Sequence, residues 1–206
     1  MSVVQPFEVN VPQAKLDEIR SRVEAYRWFA APEGLPDWQL GMSTPALKDL
    51  QTYWLSEFDW RAAEAKLNQY PQFTTEIEGQ RIHFYHVVGE AGGIRPLLIT
   101  HGWPGSVFEF YETIAPLAYP SQHGGKAEDA FDLIIPSLPG YGFSGKPATP
   151  IGQRTTAKLW NTLMQDVLGY ETYLAQGGDW GSLVTSWLGF DHGTAGSKGG
   201  CSAIHL

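Results

Sequence analysis

Gly177-Gly178-Asp179-Trp180-Gly181-Ser182 is the stretch on which the fold turns. It follows a short apolar strand, Tyr173-Leu174-Ala175-Gln176, and precedes a helix that starts near Trp180. Glycines two positions before and two after Asp179 permit a sharp strand–turn–helix, which lifts the central side chain clear of a sheet. The central residue is a carboxylate. Such a group attacks an electrophilic carbon directly and forms an ester, and the dipole at a helix N-terminus keeps it ionised. A plain helix N-cap is the other role open to Asp179.

Upstream, His101-Gly102-Trp103-Pro104-Gly105-Ser106 directly follows the apolar strand Pro96-Leu97-Leu98-Ile99-Thr100. A backbone N–H next to Gly102 is expected to point at the same space as the N–H of Trp180. Two converging N–H groups make an oxyanion hole and orient the Asp179 carboxylate. The alternative is an ordinary turn rich in Gly and Pro. A third glycine pattern, Gly140-Tyr141-Gly142-Phe143-Ser144-Gly145-Lys146-Pro147, looks like a phosphate-binding loop. Pro147 stands where a Walker loop needs a hydroxyl, and Pro147 and Pro150 prevent a helix from starting at the glycines. It reads as a structural loop bordering the site. None of His83, His86, His101, His123, His192 and His205 has metal-ligand spacing, and His101 is expected to brace its turn rather than carry protons.

Apolar strands alternate with helices around these turns. Phe131-Asp132-Leu133-Ile134-Ile135 reads as a buried strand, with helices expected from about Ser106 to Leu117 and from about Thr155 to Leu168. The alternation indicates βαβ units in a parallel sheet covered on both faces. Phe73–Glu78 and Arg81–Val88 form a hairpin turning at Gly79-Gln80, expected at the antiparallel edge. A loop is expected at Gly92-Gly93 and a loose stretch at Gly193–Gly200, before a last strand at Ser202-Ala203-Ile204. The leading part reads as three short helices: one opened by Pro12, one capped at Thr44-Pro45, and one capped by Asp59 and ended by Pro71. This gives a helical region at 1–72 and an α/β core at 73–206.

Composition sets the outer limits. With 14 Lys plus Arg against 22 Asp plus Glu in 206 residues, the net charge is −8. No basic stripe offers itself to nucleic acid or to an anionic membrane. Hydrophobic residues at 43% against charged residues at 17% imply a large core and exclude disorder. The single Cys201 excludes an internal disulfide framework. The apolar runs are strand-sized, and no signal peptide is read at the start. A cytoplasmic protein without cofactor or metal is expected.

Four segments carry a family resemblance: Phe58-Asp59-Trp60-Arg61 with Tyr70-Pro71-Gln72-Phe73; His101–Ser106; Pro139–Ser144; and Gly177–Ser182. Together the chain resembles the epoxide hydrolases of the α/β-hydrolase fold, of the microsomal and juvenile-hormone type. The resemblance implies a mostly parallel sheet with an antiparallel leading hairpin, truncated before the lid and the final strands. It implies conversion of an epoxide and water to a vicinal diol through an Asp179 ester, with Trp103 and Trp180 as backbone donors, and a role in detoxification or aromatic hydrocarbon catabolism. In the family, lid tyrosines protonate the leaving oxygen, and a His with a relay acid activates water. No residue here matches those roles, so the chain alone is expected to be inactive. The partner implied is a small-molecule epoxide. No membrane anchor has a counterpart, and an exposed sheet edge is expected to favour self-association. Two alternatives are a non-catalytic remnant and a haloalkane dehalogenase-like hydrolase, the latter disfavoured by the long leading region.

Overall fold

The computed structural model describes residues 3–29, 34, 36, 38–92, 95–194 and 199–206. Among them one sheet is built from β1 (Gln5–Phe7), β2 (Gln72–Ile77), β3 (Gln80–Val87), β4 (Pro96–Thr100), β5 (Asp132–Pro136), β6 (Thr172–Gly177) and β7 (Gly200–His205). Its spatial order is β1-β2-β3-β5-β4-β6-β7. β1, β2, β3 and β5 pair antiparallel in succession, whereas β5, β4, β6 and β7 pair parallel. Thus β2, β4, β5, β6 and β7 run one way, and β1 and β3 the other. This mixed, mostly parallel sheet is the arrangement expected from the strand–helix alternation, and it has the α/β-hydrolase architecture that the resemblance implies.

The expected hairpin is β2–β3, but β1 lies outside it as the edge strand. Reading the leading residues as helical overlooks β1, whose three residues include Pro6. An edge position tolerates a residue without an N–H. The expected loop at Gly92-Gly93 and loose stretch at Gly193–Gly200 fall partly outside the described residues.

The helices are α1 (Gln13–Glu24), α2 (Thr44–Ser56), α3 (Trp60–Leu67), α4 (Tyr111–Ala118), α5 (Gln153–Thr162) and α6 (Trp180–His192). A 3₁₀ turn, Val107–Phe110, leads into α4, and a π turn, Leu163–Val167, continues α5. These two irregular turns replace the single unbroken helices read from periodicity. The cap of α2 is Ser43, whose hydroxyl accepts the Ala46 N–H at 3.3 Å, with Thr44 already helical and Pro45 in the first turn. Asp59 caps α3 as expected, accepting the N–H groups of Arg61 and Ala62.

Two compact units result: Val9–Lys66, and the residues up to Glu8 together with Leu67–Leu206. Within the first, Glu64 is the buried polar centre. It accepts from the Val11 N–H at 2.8 Å, the Trp60 indole N–H at 3.0 Å and Arg61 at 2.7 Å. The Val11 bond, above the others, holds its carboxyl below the usual carboxylate range.

Within the second unit, the apolar strand runs divide by parity. Phe84, Leu98 and Ile134 join Trp160, Leu163 and Leu188 on one face. Tyr85, Ile99, Leu133 and Ile135 join Ile114 and Ala118 on the other. A strand alternates its side chains between faces, so a continuous apolar run fills two cores at once. The sheet is thereby packed on both faces beneath the turns that leave its upper end.

Candidate active site

β4 and β6 are parallel neighbours, with Thr100 in register with Gly177. Their following turns therefore rise from the same end of the sheet, where open α/β sheets bind ligands. Ile99, Ile134 and Leu174 sit on the adjacent strands β4, β5 and β6, as expected from the sequence.

The turn after β6 is an elbow whose geometry depends on glycine. Asp179 has φ 53° and ψ −124°, a conformation that a side chain adopts only under constraint. A Cβ on Gly181 would lie 2.1 Å from the Thr100 carbonyl oxygen, and one on Gly177 would lie 2.4 Å from the Gly181 backbone. The helix start is thus pressed against β4, and Asp179 is pushed outward. Its carbonyl accepts both the N–H and the hydroxyl of Ser182, at 3.0 and 2.7 Å. The exposed carboxylate makes no helix-capping bond. Its Oδ1 instead accepts the Trp103 N–H at 2.8 Å. That bond first, and the Trp180 N–H second, hold its pKa below the usual carboxylate range.

Gly102 makes this meeting possible, since a Cβ there would lie 2.6 Å from the Cβ of Asp179. His101 fixes the turn from below. Its Nε2 accepts the Leu138 N–H at 3.0 Å, so its Nδ1 carries the proton and donates to the Gly102 carbonyl at 2.9 Å. Burial pushes its pKa down. Both ring nitrogens are engaged, and the bracing role read from the sequence is the one its bonds describe. Tyr141 packs edge-on against both His101 and Trp180, so the third glycine loop borders the site.

These turns enclose a cavity of about 510 Å³, lined by Thr100, His101, Trp103, Pro104, Glu109, Phe110, Gln176 and Asp179 among others. A larger cavity, about 750 Å³, lies within Val9–Lys66 and is walled by Leu16, Ile19, Trp54, Phe58 and the rims of charged residues. The chemistry singles out the smaller one, where a strained carboxylate meets a borrowed amide. Sequence reading passed over Glu109, although Ser106-Val107-Phe108-Glu109 has the spacing of a capping box. Among the described residues, no group of three or more His, Cys, Asp or Glu is placed to hold a metal ion.

Sheet order and turns together define an α/β-hydrolase fold with an aspartate at the tip of its strand–turn–helix elbow. Comparison with known proteins narrows this further. The profile "Epoxide hydrolase N terminus" matches residues 4–110, and "alpha/beta hydrolase fold" matches residues 95–196. A putative epoxide hydrolase of Stigmatella aurantiaca is 47% identical over 186 residues, covering 90% of this chain and 42% of that protein. The solved Aspergillus niger epoxide hydrolase superposes with a TM-score of 0.83 at 36% identity, covering 99% of this chain and 52% of its own. Juvenile hormone epoxide hydrolase from the silkworm Bombyx mori gives 0.81 at 36% identity, covering 92% and 50%. The chain belongs to the epoxide hydrolase family, and it spans about half the length of the relatives it matches.

Proposed function

We propose that Asp179 opens an epoxide by nucleophilic attack. The observation that carries this reading is the Asp179 carboxylate, held at φ 53° with the Trp103 N–H on Oδ1 at 2.8 Å. One carboxylate oxygen is oriented by that amide while the other attacks the less hindered epoxide carbon. An O–C bond forms, the ring C–O bond breaks, and the freed alkoxide oxygen takes a proton from solvent water, leaving hydroxide. The oxygen bonded to Trp103 becomes the ester carbonyl. When water attacks that ester, negative charge collects on an oxygen already facing backbone donors, the arrangement that stabilises acyl-transfer transition states. Trp103 and Trp180 are thus proposed as oxyanion donors.

Within this reading, 1–72 serves as the family's leading region and 73–206 as the catalytic core. The match of the leading region to the epoxide hydrolase N terminus favours this over a dehalogenase. The substrate is a small-molecule epoxide. Among the described residues no helix is long and apolar enough to cross a membrane. A cytoplasmic location is part of the proposal. So is self-association through β7, whose Ile204 is 44% exposed on the last strand of the sheet.

No group in this chain matches the proton donor or the water-activating base, and groups that act as a unit are lost together. Incubating the 206-residue chain with styrene oxide is expected to give one slow covalent adduct on Asp179, absent from Asp179→Asn, and no catalytic diol. Peptide mass spectrometry reads the adduct. An adduct that survives Asp179→Asn, or diol formed equally by Asp179→Asn, would sink the assignment. Many equivalents of diol per chain, abolished by Asp179→Asn, would keep the nucleophile and show that a group in this chain serves as the base.

A further inference from the structure

The turn that presents the Trp103 N–H has a second carboxylate built into it. Glu109 Oε1 accepts the Ser106 N–H at 2.9 Å, while the Ser106 hydroxyl accepts the Phe108 N–H at 3.3 Å. The Ser106 carbonyl accepts the Glu109 N–H at 3.1 Å, and the Gly102 carbonyl accepts the Gly105 N–H at 3.0 Å. The loop from Gly102 to Glu109 is therefore closed at both ends by its own bonds. The space beside Gly105 is kept for Glu109: a Cβ there would sit 1.3 Å from Glu109 Oε1. Holding the end of a helix does not call for a bare neighbour. Nor does it call for the capping carboxylate to line the cavity that holds Asp179, as Glu109 does.

We propose that Glu109 is a positioning residue: by accepting the Ser106 N–H it fixes the Gly102–Ser106 turn so that the Trp103 N–H stays on Asp179. Its catalytic meaning rests on Asp179 being the nucleophile; its geometry does not. Glu109 is expected to act on Asp179 in two opposed ways. As a charge it disfavours a second carboxylate in the same cavity. As an acceptor it organises the donor that favours that carboxylate. The other groups facing Asp179 are the Trp103 and Trp180 N–H groups, the N-terminus of α6 and the ring of His101.

Opposite signs make the two effects separable. The Asp179 carboxylate is titrated by ¹³C NMR in the 206-residue chain and in Glu109→Gln and Glu109→Ala. Gln keeps an acceptor and drops the charge, so the Asp179 midpoint holds or falls. Ala drops both, and the midpoint is expected to rise above that of the parent chain, with the Trp103 amide exchanging about tenfold faster. A midpoint that falls in Ala as it does in Gln leaves Glu109 acting only as a charge and overturns the proposal. If Glu109→Ala does not fold, Gly105→Ala displaces the Glu109 carboxylate by contact and must give the same rise; an unchanged midpoint there overturns it equally. Styrene oxide alkylation of the same samples separates the two readings. The expected NMR pattern without any adduct upholds the positioning role and fails the nucleophile.

Discussion

Three glycine-rich turns leave the same end of this sheet, and they use their amides in two different ways. In the loop after β5, the Gly140 N–H bonds to the Gly145 carbonyl at 3.0 Å, and the Gly145 N–H bonds to Arg81 on β3 at 2.9 Å. Ser144 donates to the Ser137 carbonyl at 2.7 Å and accepts the His83 N–H at 3.0 Å. The loop satisfies itself and is sewn to the hairpin. In the turns after β4 and β6, glycine permits backbone to approach backbone, and the Trp103 N–H is spent on the side chain of Asp179 from another turn. The two patterns look alike in sequence. Glycine spacing alone does not mark a site; a donor left over for a side chain does.

The sharpest break of this contrast is an added methyl group at each turn. Gly181→Ala is expected to cost about 3–5 kcal/mol, because the new Cβ meets the Thr100 carbonyl at 2.1 Å and the start of α6 must move off β4. Gly140→Ala meets only Pro147 at 3.4 Å and pays mainly for φ +85°, about 1–2 kcal/mol. Urea denaturation of both variants checks the ordering, and equal costs would erase the distinction.

Legibility follows the same line. β4, β5 and β6 are readable because runs such as Leu133-Ile134-Ile135 suit only a strand buried on both faces. Asp179 and Trp103 are readable because glycines flank them at fixed offsets. β1 is not, since Gln5-Pro6-Phe7 has no periodicity and exists only through pairing with β2, far along the chain. The division of the apolar runs between two cores needs the sheet itself. Glu109 escapes because its capping spacing announces a helix start, and only the folded turn sets its carboxylate beside Gly105.

A second test concerns how the self-satisfied loop is held. His83 is fully buried between Ser137 and Gln72. The amide nitrogen of Gln72 donates to Leu67 and Asn68, so its oxygen faces His83 Nε2, which carries the proton, and Nδ1 accepts from the Ser137 hydroxyl. Burial pushes the His83 pKa down from 6.5 to about 3. The unfolded chain binds this proton first, so the stability from neutral His83 is fully present above pH 6.5 and declines as pH falls toward 3. The loss reaches about 2 kcal/mol by pH 5 for this residue alone. His86 and His101, also lowered by burial, add to the same trend. His83→Gln is expected to flatten the pH dependence of the urea midpoint between pH 7 and 5. An unchanged slope would mean that the loop is not held by a neutral histidine.

The smallest effect tests the elbow itself. At φ 53° and ψ −124°, Asp179 occupies backbone space that suits the first central residue of a type II′ turn, where glycine is favoured. Asp179→Ala and Asp179→Gly both remove the carboxylate and the Trp103 bond, so the difference between them isolates the backbone. In an exposed helix Gly is less stable than Ala by about 1 kcal/mol. Here the order should invert: release of a strained conformation costing about 1–3 kcal/mol outweighs the added freedom of the unfolded glycine. Asp179→Gly is therefore expected to be more stable than Asp179→Ala by about 1 kcal/mol in urea denaturation, with no adduct from styrene oxide in either. If Ala proves the more stable, the elbow relaxes once its carboxylate is gone. The strain would then be imposed by the bond to Trp103, rather than by the contacts of Gly177 and Gly181 with their neighbours.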